Sequence, residues 1–155
     1  MRDDRRDRNW DPRTELGKKV ASKEITSIDE ILDSGKRILE TEIVDTLLPN
    51  IKDQVLEIKS TQRMTAYGRK QFMRAVVILG NSRGYIAVGV GKAPEVRDAI
   101  GEAITEAKKN IIRIKLGCGS WECGCGSQHS VALKVYGKSS STEVTILPAP
   151  KGIGI

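Results

Sequence analysis

Apolar positions change their period twice along this chain. Between Ser27 and Pro49 they recur at the three- and four-residue spacing of a helix. Ser27 can cap a first helix with Glu30 three residues on, Ile28, Ile31 and Leu32 form its apolar face, and Gly35 stops it. A second helix opens at Glu40 or Thr41, gathers Ile43, Val44, Leu47 and Leu48 on one face, and ends before Pro49. From Val55 the period drops to two. Val55, Glu57, Lys59 and Thr61 alternate with Leu56, Ile58 and Ser60, which predicts a strand with one covered face. Residues 64–70 read as a loop in which Gly68 permits a positive φ. Residues 71–79 are apolar and β-branched enough for a central strand, residues 80–84 make a turn, and residues 85–90 return as a third strand of an antiparallel meander. The helical period then resumes. Pro94 suits a first helical position, and Val96, Ile100, Ala103, Ile104, Ala107 and Ile111 repeat along one face, with Ala99, Gly101 and Ala103 small enough for close approach to the sheet. Helix, three-stranded antiparallel sheet and helix make an α+β domain over residues 40–113.

The flanks are less regular. Residues 1–23 mix Arg, Lys and Asp around Trp10 and Pro12 without an apolar face. A solvated terminus and a tail that orders on a large partner both fit, and Trp10 adds weight to the second. Residues 1–39 thus read as an extension carrying one short helix. After the domain, residues 114–130 form a Cys- and Gly-rich connector. Residues 131–136 and 143–147 predict a hairpin across a turn at 137–141, the start of a second domain over 131–155.

Charge sharpens this picture. The chain carries a formal +6 overall, but residues 59–94 hold Lys59, Arg63, Arg69, Lys70, Arg74, Arg83 and Lys92 without one Asp or Glu. The preceding 58 residues and the start of the last helix are net acidic, and Lys108, Lys109 and Arg113 make that helix basic at its end. A cationic sheet is a polyanion surface. Its aromatics are sparse, Phe72 and Tyr85 on strands and Tyr67 in the loop, so it suits phosphates and A-form shape rather than base stacking. Structured RNA is the expected partner.

Other chemistry is limited. The step Gly89-Val90-Gly91-Lys92 resembles a phosphate loop, but Ile86 and Ala93 break Walker spacing, and a strand end turning into a helix explains it better. Lys92 at that helix entrance could still hold a backbone phosphate. The single histidine, His129, has only Glu122 as a near carboxylate, so nucleophilic catalysis has little to work with. Cys118, Cys123, Cys125 and His129 are spaced C-x4-C-x-C-x3-H. That set suits one structural zinc in a tetrahedron, and equally three small thiols beside a hydrogen-bonded histidine. No apolar run is long enough to span a bilayer, and residues 1–10 lack a signal peptide's apolar core, so a soluble cytosolic protein without membrane contact is expected.

Several stretches together are specific enough to carry a resemblance. They are residues 55–110, with RMTAYGR, GNSRGYIAVGVGKAPEV and AIGEAITEAKKN, then WDPRTELGKKV near the start and GCGSWECGCGSQHSVAL beyond the last helix. In these the chain resembles small-subunit ribosomal protein five, the last two segments its archaeal branch. The resemblance implies a double-stranded-RNA-binding-like first domain followed by the opening hairpin of a second α/β domain, which in the family continues past PAPKGIGI. It implies a cytoplasmic, non-catalytic constituent of the small ribosomal subunit that needs no cofactor. Its expected partners are small-subunit rRNA and ribosomal proteins four and eight, near the point where messenger RNA enters, with an influence on decoding accuracy. Residues 60–72 become the reaching loop. Arg63, Arg69, Lys70 and Arg74 are then the first expected rRNA contacts, with Lys59, Arg83, Lys92, Lys108, Lys109 and Arg113 beside them. A free-standing double-stranded-RNA-binding regulator and, from another class, a zinc- or thiol-dependent enzyme at residues 118–129 are the competing readings.

Overall fold

A computed structural model describes residues 10–82, 84–118 and 123–152. The chain divides into two compact units, Met1–Asn81 with Ile86–Ile112, and Ser82–Tyr85 with Arg113–Ile155.

The first unit opens with three short helices, α1 (Glu15–Ala21), α2 (Ile28–Asp33) and α3 (Thr41–Leu47). Ser27 caps α2 by accepting from the Asp29 amide, and Gly35 follows its end at φ 66°, as its sequence predicts. Ile43 and Val44 of α3 are fully buried. Helix α1 lies where no periodic face was expected. Thr14 caps it through the Gly17 amide, and Val20 alone supplies a buried apolar side chain. What orders this segment is Glu40, just before α3. Its carboxylate accepts from the Trp10 indole at 2.9 Å and from the Arg13 and Thr14 amides at 3.0 and 2.6 Å. The described part of the terminus is therefore a strap tied back onto its own unit.

Three long strands follow, β1 (Lys52–Thr65), β2 (Gly68–Gly80) and β3 (Tyr85–Ala93), then α4 (Val96–Lys109) and a short β4 (Ile111–Arg113). They form one sheet in the order β1-β2-β3-β4, a mixed α+β arrangement as expected. Four local expectations change. Residues 64–70 are not a loop: past one irregularity between Val55 and Glu57 the β1–β2 ladder runs on to Thr65↔Gly68, and only Ala66 and Tyr67 remain as the turn, with Gly68 at φ 122°. Strand β1 is exposed on both faces for nearly all its length, since α4 lies over β2 and β3. Pro94 precedes the helix, because β3 continues to Ala93 and Glu95 is the N-cap. Ile111 belongs to β4 rather than to the end of α4.

The helix is seated by small residues. Ala99, Ala103 and Ala107 are fully buried, and they meet Gly89 and Gly91, which lie with the buried Ala87 and Ala93 along one face of β3. A Cβ on Gly89 would lie 2.0 Å from the Ala103 carbonyl oxygen and 2.5 Å from the Ala107 nitrogen. On Gly91 it would lie 2.1 Å from the Ala99 oxygen and 2.5 Å from the Ala103 nitrogen. Backbone touches backbone there. Gly101, expected to help this approach, is exposed with nothing near its Cβ position. Two helix carboxylates are engaged with the sheet as well. Glu106 accepts from the Val90 amide at 3.1 Å and Glu102 from the Lys92 amide at 3.3 Å, so α4 seals β3 amides that the sheet leaves over.

The second unit holds two short ladders, β5 (Leu116–Gly117) with β6 (Ser130–Val131) and β7 (Val135–Ser139) with β8 (Thr142–Ile146). The expected hairpin thus turns more tightly, at Ser140 and Ser141, and Val131 pairs with Leu116 instead of leading into it.

Two outcomes follow. Gly91→Ala is expected to cost about 1–3 kcal/mol, since the clash is with helix backbone that cannot rotate away. Gly101→Ala should instead add up to about 1 kcal/mol through helix propensity, both read as shifts of the urea midpoint. At Glu40 desolvation pushes the carboxyl up, but the bonds from Thr14, Trp10 and Arg13 outweigh it and hold the group below its ordinary 4.5. Its contribution is therefore complete above about pH 4.5 and is lost as pH falls through the lower folded value. The Trp10 indole N–H resonance should report that release on acidification, and Glu40→Gln should remove the pH dependence.

Candidate nucleic-acid interface

Strand register decides which cations act together. Residues directly opposite in an antiparallel ladder share a face. Arg74 faces Lys59 on one side and Lys92 on the other, so three cations stand in one row across β1, β2 and β3. Two steps along are Thr61 and Phe72, and two further are Arg63 and Lys70, again directly opposite. All of these alternate with Ala75, Val77 and Leu79, the buried residues beneath α4, and so occupy the sheet face turned away from the helix. Lys70 lies over the Phe72 ring at 5.1 Å, which orients its ammonium while leaving it exposed.

The third strand begins its pairing at Met73↔Ala93, so residues 61–65 and 68–72 form a two-stranded arm beyond the sheet. At strand rise the five residues on each side extend it by roughly 17 Å. Arg69, opposite Met64, points from the other face of that arm. At its tip Tyr67 is 102% exposed and Met64 76%. Read as a loop residue, Tyr67 drew no role; at the tip of the ladder it is a fully exposed ring.

The remaining expected contacts divide. Lys59 is bridged to Glu57, two residues away on the same face, so its charge is partly met. Lys108 is bonded to both oxygens of Asp45 on α3, at 2.7 and 2.8 Å, and serves helix packing. Lys109 is exposed in the last turn of α4, and Arg113 ends β4. Arg83 lies outside the described residues, as does Glu122. Lys92 sits inside β3 rather than at a helix entrance, and its amide is taken by Glu102, so the phosphate-loop reading of Gly89 to Lys92 fails. Those glycines serve the seat of α4.

In the second unit Cys118, Cys123, Cys125 and His129 come together, with ligand atoms all within 4.8 Å of one another. Desolvation pushes the Cys118 thiol up, with bonds to Cys125 and Cys123 adding to it. The Ser127 hydroxyl, helped by the Ser127 amide, brings Cys125 down to about 6.

Comparison with known proteins adds an independent line. Residues 51–115 match the family profile described as ribosomal protein S5, N-terminal domain. The chain is 56% identical over 146 residues to small ribosomal subunit protein uS5 of Methanocaldococcus jannaschii, covering 94% of this chain and 67% of that protein. It is 55% identical over 146 residues to the protein of the same name from Methanoregula boonei, covering 94% and 71%. With that of Methanosphaera stadtmanae it shares 50% over 147 residues, covering 95% and 65%. The chain thus spans about two thirds of the length of these curated relatives.

Like charges placed directly opposite destabilise a ladder by roughly 0.2–1 kcal/mol. Arg74→Gln is therefore expected to leave stability unchanged or raise it by about that amount at low ionic strength. The gain should shrink as salt screens the row. Denaturant midpoints at low and high salt check this, and a clear loss of stability would mean that Arg74 serves the fold.

Proposed function

The chain belongs to the ribosomal protein S5 family, in its archaeal-type branch, and we propose that it is a constituent of the small ribosomal subunit that grips small-subunit rRNA by its phosphates. The named relatives are ribosomal proteins rather than enzymes, which sets the zinc- or thiol-dependent enzyme aside. No helix among the described residues is long and apolar enough to cross a membrane. A cytoplasmic place in the subunit follows from the family.

The observation that carries the RNA reading is the in-register cation row of Lys59, Arg74 and Lys92, repeated on the arm by Arg63 and Lys70. Cations paired against one another are a cost to the free protein that a polyanion removes. Arg63, Arg74 and Lys70 bind phosphates from the helix-free face, Arg69 from the other side of the arm, and Tyr67 stacks on a splayed base at the tip. Lys92, Lys109, Arg83 and Arg113 extend the footprint. Lys59 contributes less because of Glu57, and Lys108 least because Asp45 holds it. Within this reading residues 40–113 act as a double-stranded-RNA-binding-like domain, residues 1–39 as its extension, residues 114–130 as a connector, and residues 131–155 as the start of a second domain. Contacts with ribosomal proteins four and eight, a position where messenger RNA enters, and an influence on decoding accuracy belong to the same proposal and rest on the family. The role requires no cofactor.

Binding to a small-subunit rRNA fragment should weaken steeply with salt, by about 0.7–0.9 log units per log unit of salt for each phosphate contact. Arg63→Gln, Lys70→Gln and Arg74→Gln should each reduce the slope by about one contact, and Lys108→Gln should change it little. Tyr67→Ala should weaken binding by about 1–3 kcal/mol with the slope kept. A salt-independent affinity would overturn the reading. Sedimentation separates it from a free-standing regulator, which would stay off small subunits instead of travelling with them stoichiometrically.

A further inference from the structure

The Cys/His cluster is not used by the RNA surface, and it lies among residues that little else in the described structure holds. None of the described residues after Ile111 is in the buried apolar core. The β5–β6 ladder is two residues on each side, and β7–β8 is exposed throughout, with Val135, Tyr136, Val144 and Ile146 about half accessible. The Lys138–Glu143 bridge across β7–β8 joins two exposed side chains and adds little. Burial among the described residues therefore does little to hold this turn, which leaves the work to a local staple. The thiols are free, which removes the disulfide.

The four ligands stand where a staple would act. Cys118 directly follows β5 and His129 directly precedes β6, and the His129 amide donates to the Gly117 oxygen at 3.4 Å. Cys123 and Cys125 come from the intervening turn. A tetrahedral zinc with bonds of about 2.3 Å to sulfur and 2.0–2.1 Å to nitrogen separates its sulfurs by about 3.8 Å and each sulfur from nitrogen by about 3.5 Å. Cys118 Sγ and Cys125 Sγ are 3.7 Å apart, and Cys123 Sγ lies 3.5 Å from His129 Nε2. Cys123 Sγ and Cys125 Sγ are closer, at 3.2 Å, the compression that a C-x-C step imposes. Local structure supports the sulfurs: Ser127 Oγ lies 3.2 Å from Cys125 Sγ, and Gly126 is turned into the left-handed region at φ 64°. Outer bonds of this kind orient ligand atoms before the metal arrives. Three thiolates and one imidazole select zinc over magnesium or calcium, which take oxygen.

We propose that Cys118, Cys123, Cys125 and His129 hold one structural zinc ion that clamps the ends of β5 and β6 and orders the second unit. Native mass spectrometry of the full chain, purified without chelator, should show one zinc per chain. Cobalt(II) in its place should give the visible absorption of a tetrahedral thiolate site. Cys123→Ser and His129→Ala should lose the metal, while His129→Cys should keep it and shift the cobalt spectrum toward four sulfurs. The retained variant separates loss of a ligand from loss of folding. On chelation, amide exchange should quicken across β5 and β6 and stay unchanged in α4. A chain that binds no zinc in excess metal, with thiols alkylated at the same rate with and without it, would overturn the proposal. So would iron as the bound metal, or full zinc retention by His129→Ala.

Discussion

The close seat of α4 on β3 is the constraint from which the rest of the first unit follows. Four helical residues advance about 6 Å and two strand residues about 6.6 Å. Ala99, Ala103 and Ala107 can therefore step along β3 almost in phase with Gly91 and Gly89. The same step places Glu102 and Glu106 over the amides of Lys92 and Val90. One helix thus covers a sheet face with alanine and closes a strand edge with glutamate. Larger residues on β3 would lift the helix and break both relations together.

Committing the helix to one face leaves the other for charge. Residues that alternate with Ala75 and Gly91 must point away from α4, so Arg74 and Lys92 are neighbours by the same register that builds the core. The strand cannot relieve this repulsion by rotating one residue, because a one-step slip would bury Arg74 and expose Ala75. The core therefore holds the cations in a spacing they would not choose themselves. Preorganisation of this sort lowers the cost of binding an anion. The tight helix seat and the basic face are one device.

How legible this was in the sequence depended on range. Helices α2 and α3 were readable because Ser27, Gly35 and the Ile43–Val44 face act within a few residues. Helix α1 was not, since its segment offers one buried apolar side chain and is held by Glu40, which lies beyond any local window. The arm was misread for a related reason. Residues 64–70 set Gly68 beside Arg69 and Lys70 with no sustained apolar alternation, the signature of a loop, yet their pairing comes from the partner strand. Glycine misled once, at Gly101, which is idle in the helix; Gly89 and Gly91, read as a strand end rather than a phosphate loop, are strand and seat the helix. The cationic residues were legible as a set, but only register could divide them into a row, an arm and the Lys108 tether.

The Cys/His cluster was legible for the opposite reason, because ligand chemistry is written in a window of twelve residues and needs no distant strand. That locality also explains its composition. Gly124 and Gly126 flank Cys125, and each adds chain entropy that a folded turn must overcome. Among the described residues around the turn, burial supplies little of the difference. Bonds to a metal can supply it, because they act at the ligand atoms and demand only that a short turn bring four of them within a few ångströms. The first unit spends its glycines to bring two backbones into contact, where alanine and strand register do the holding. In the second, the glycines let a chain curl around a point, and the zinc at that point does the holding.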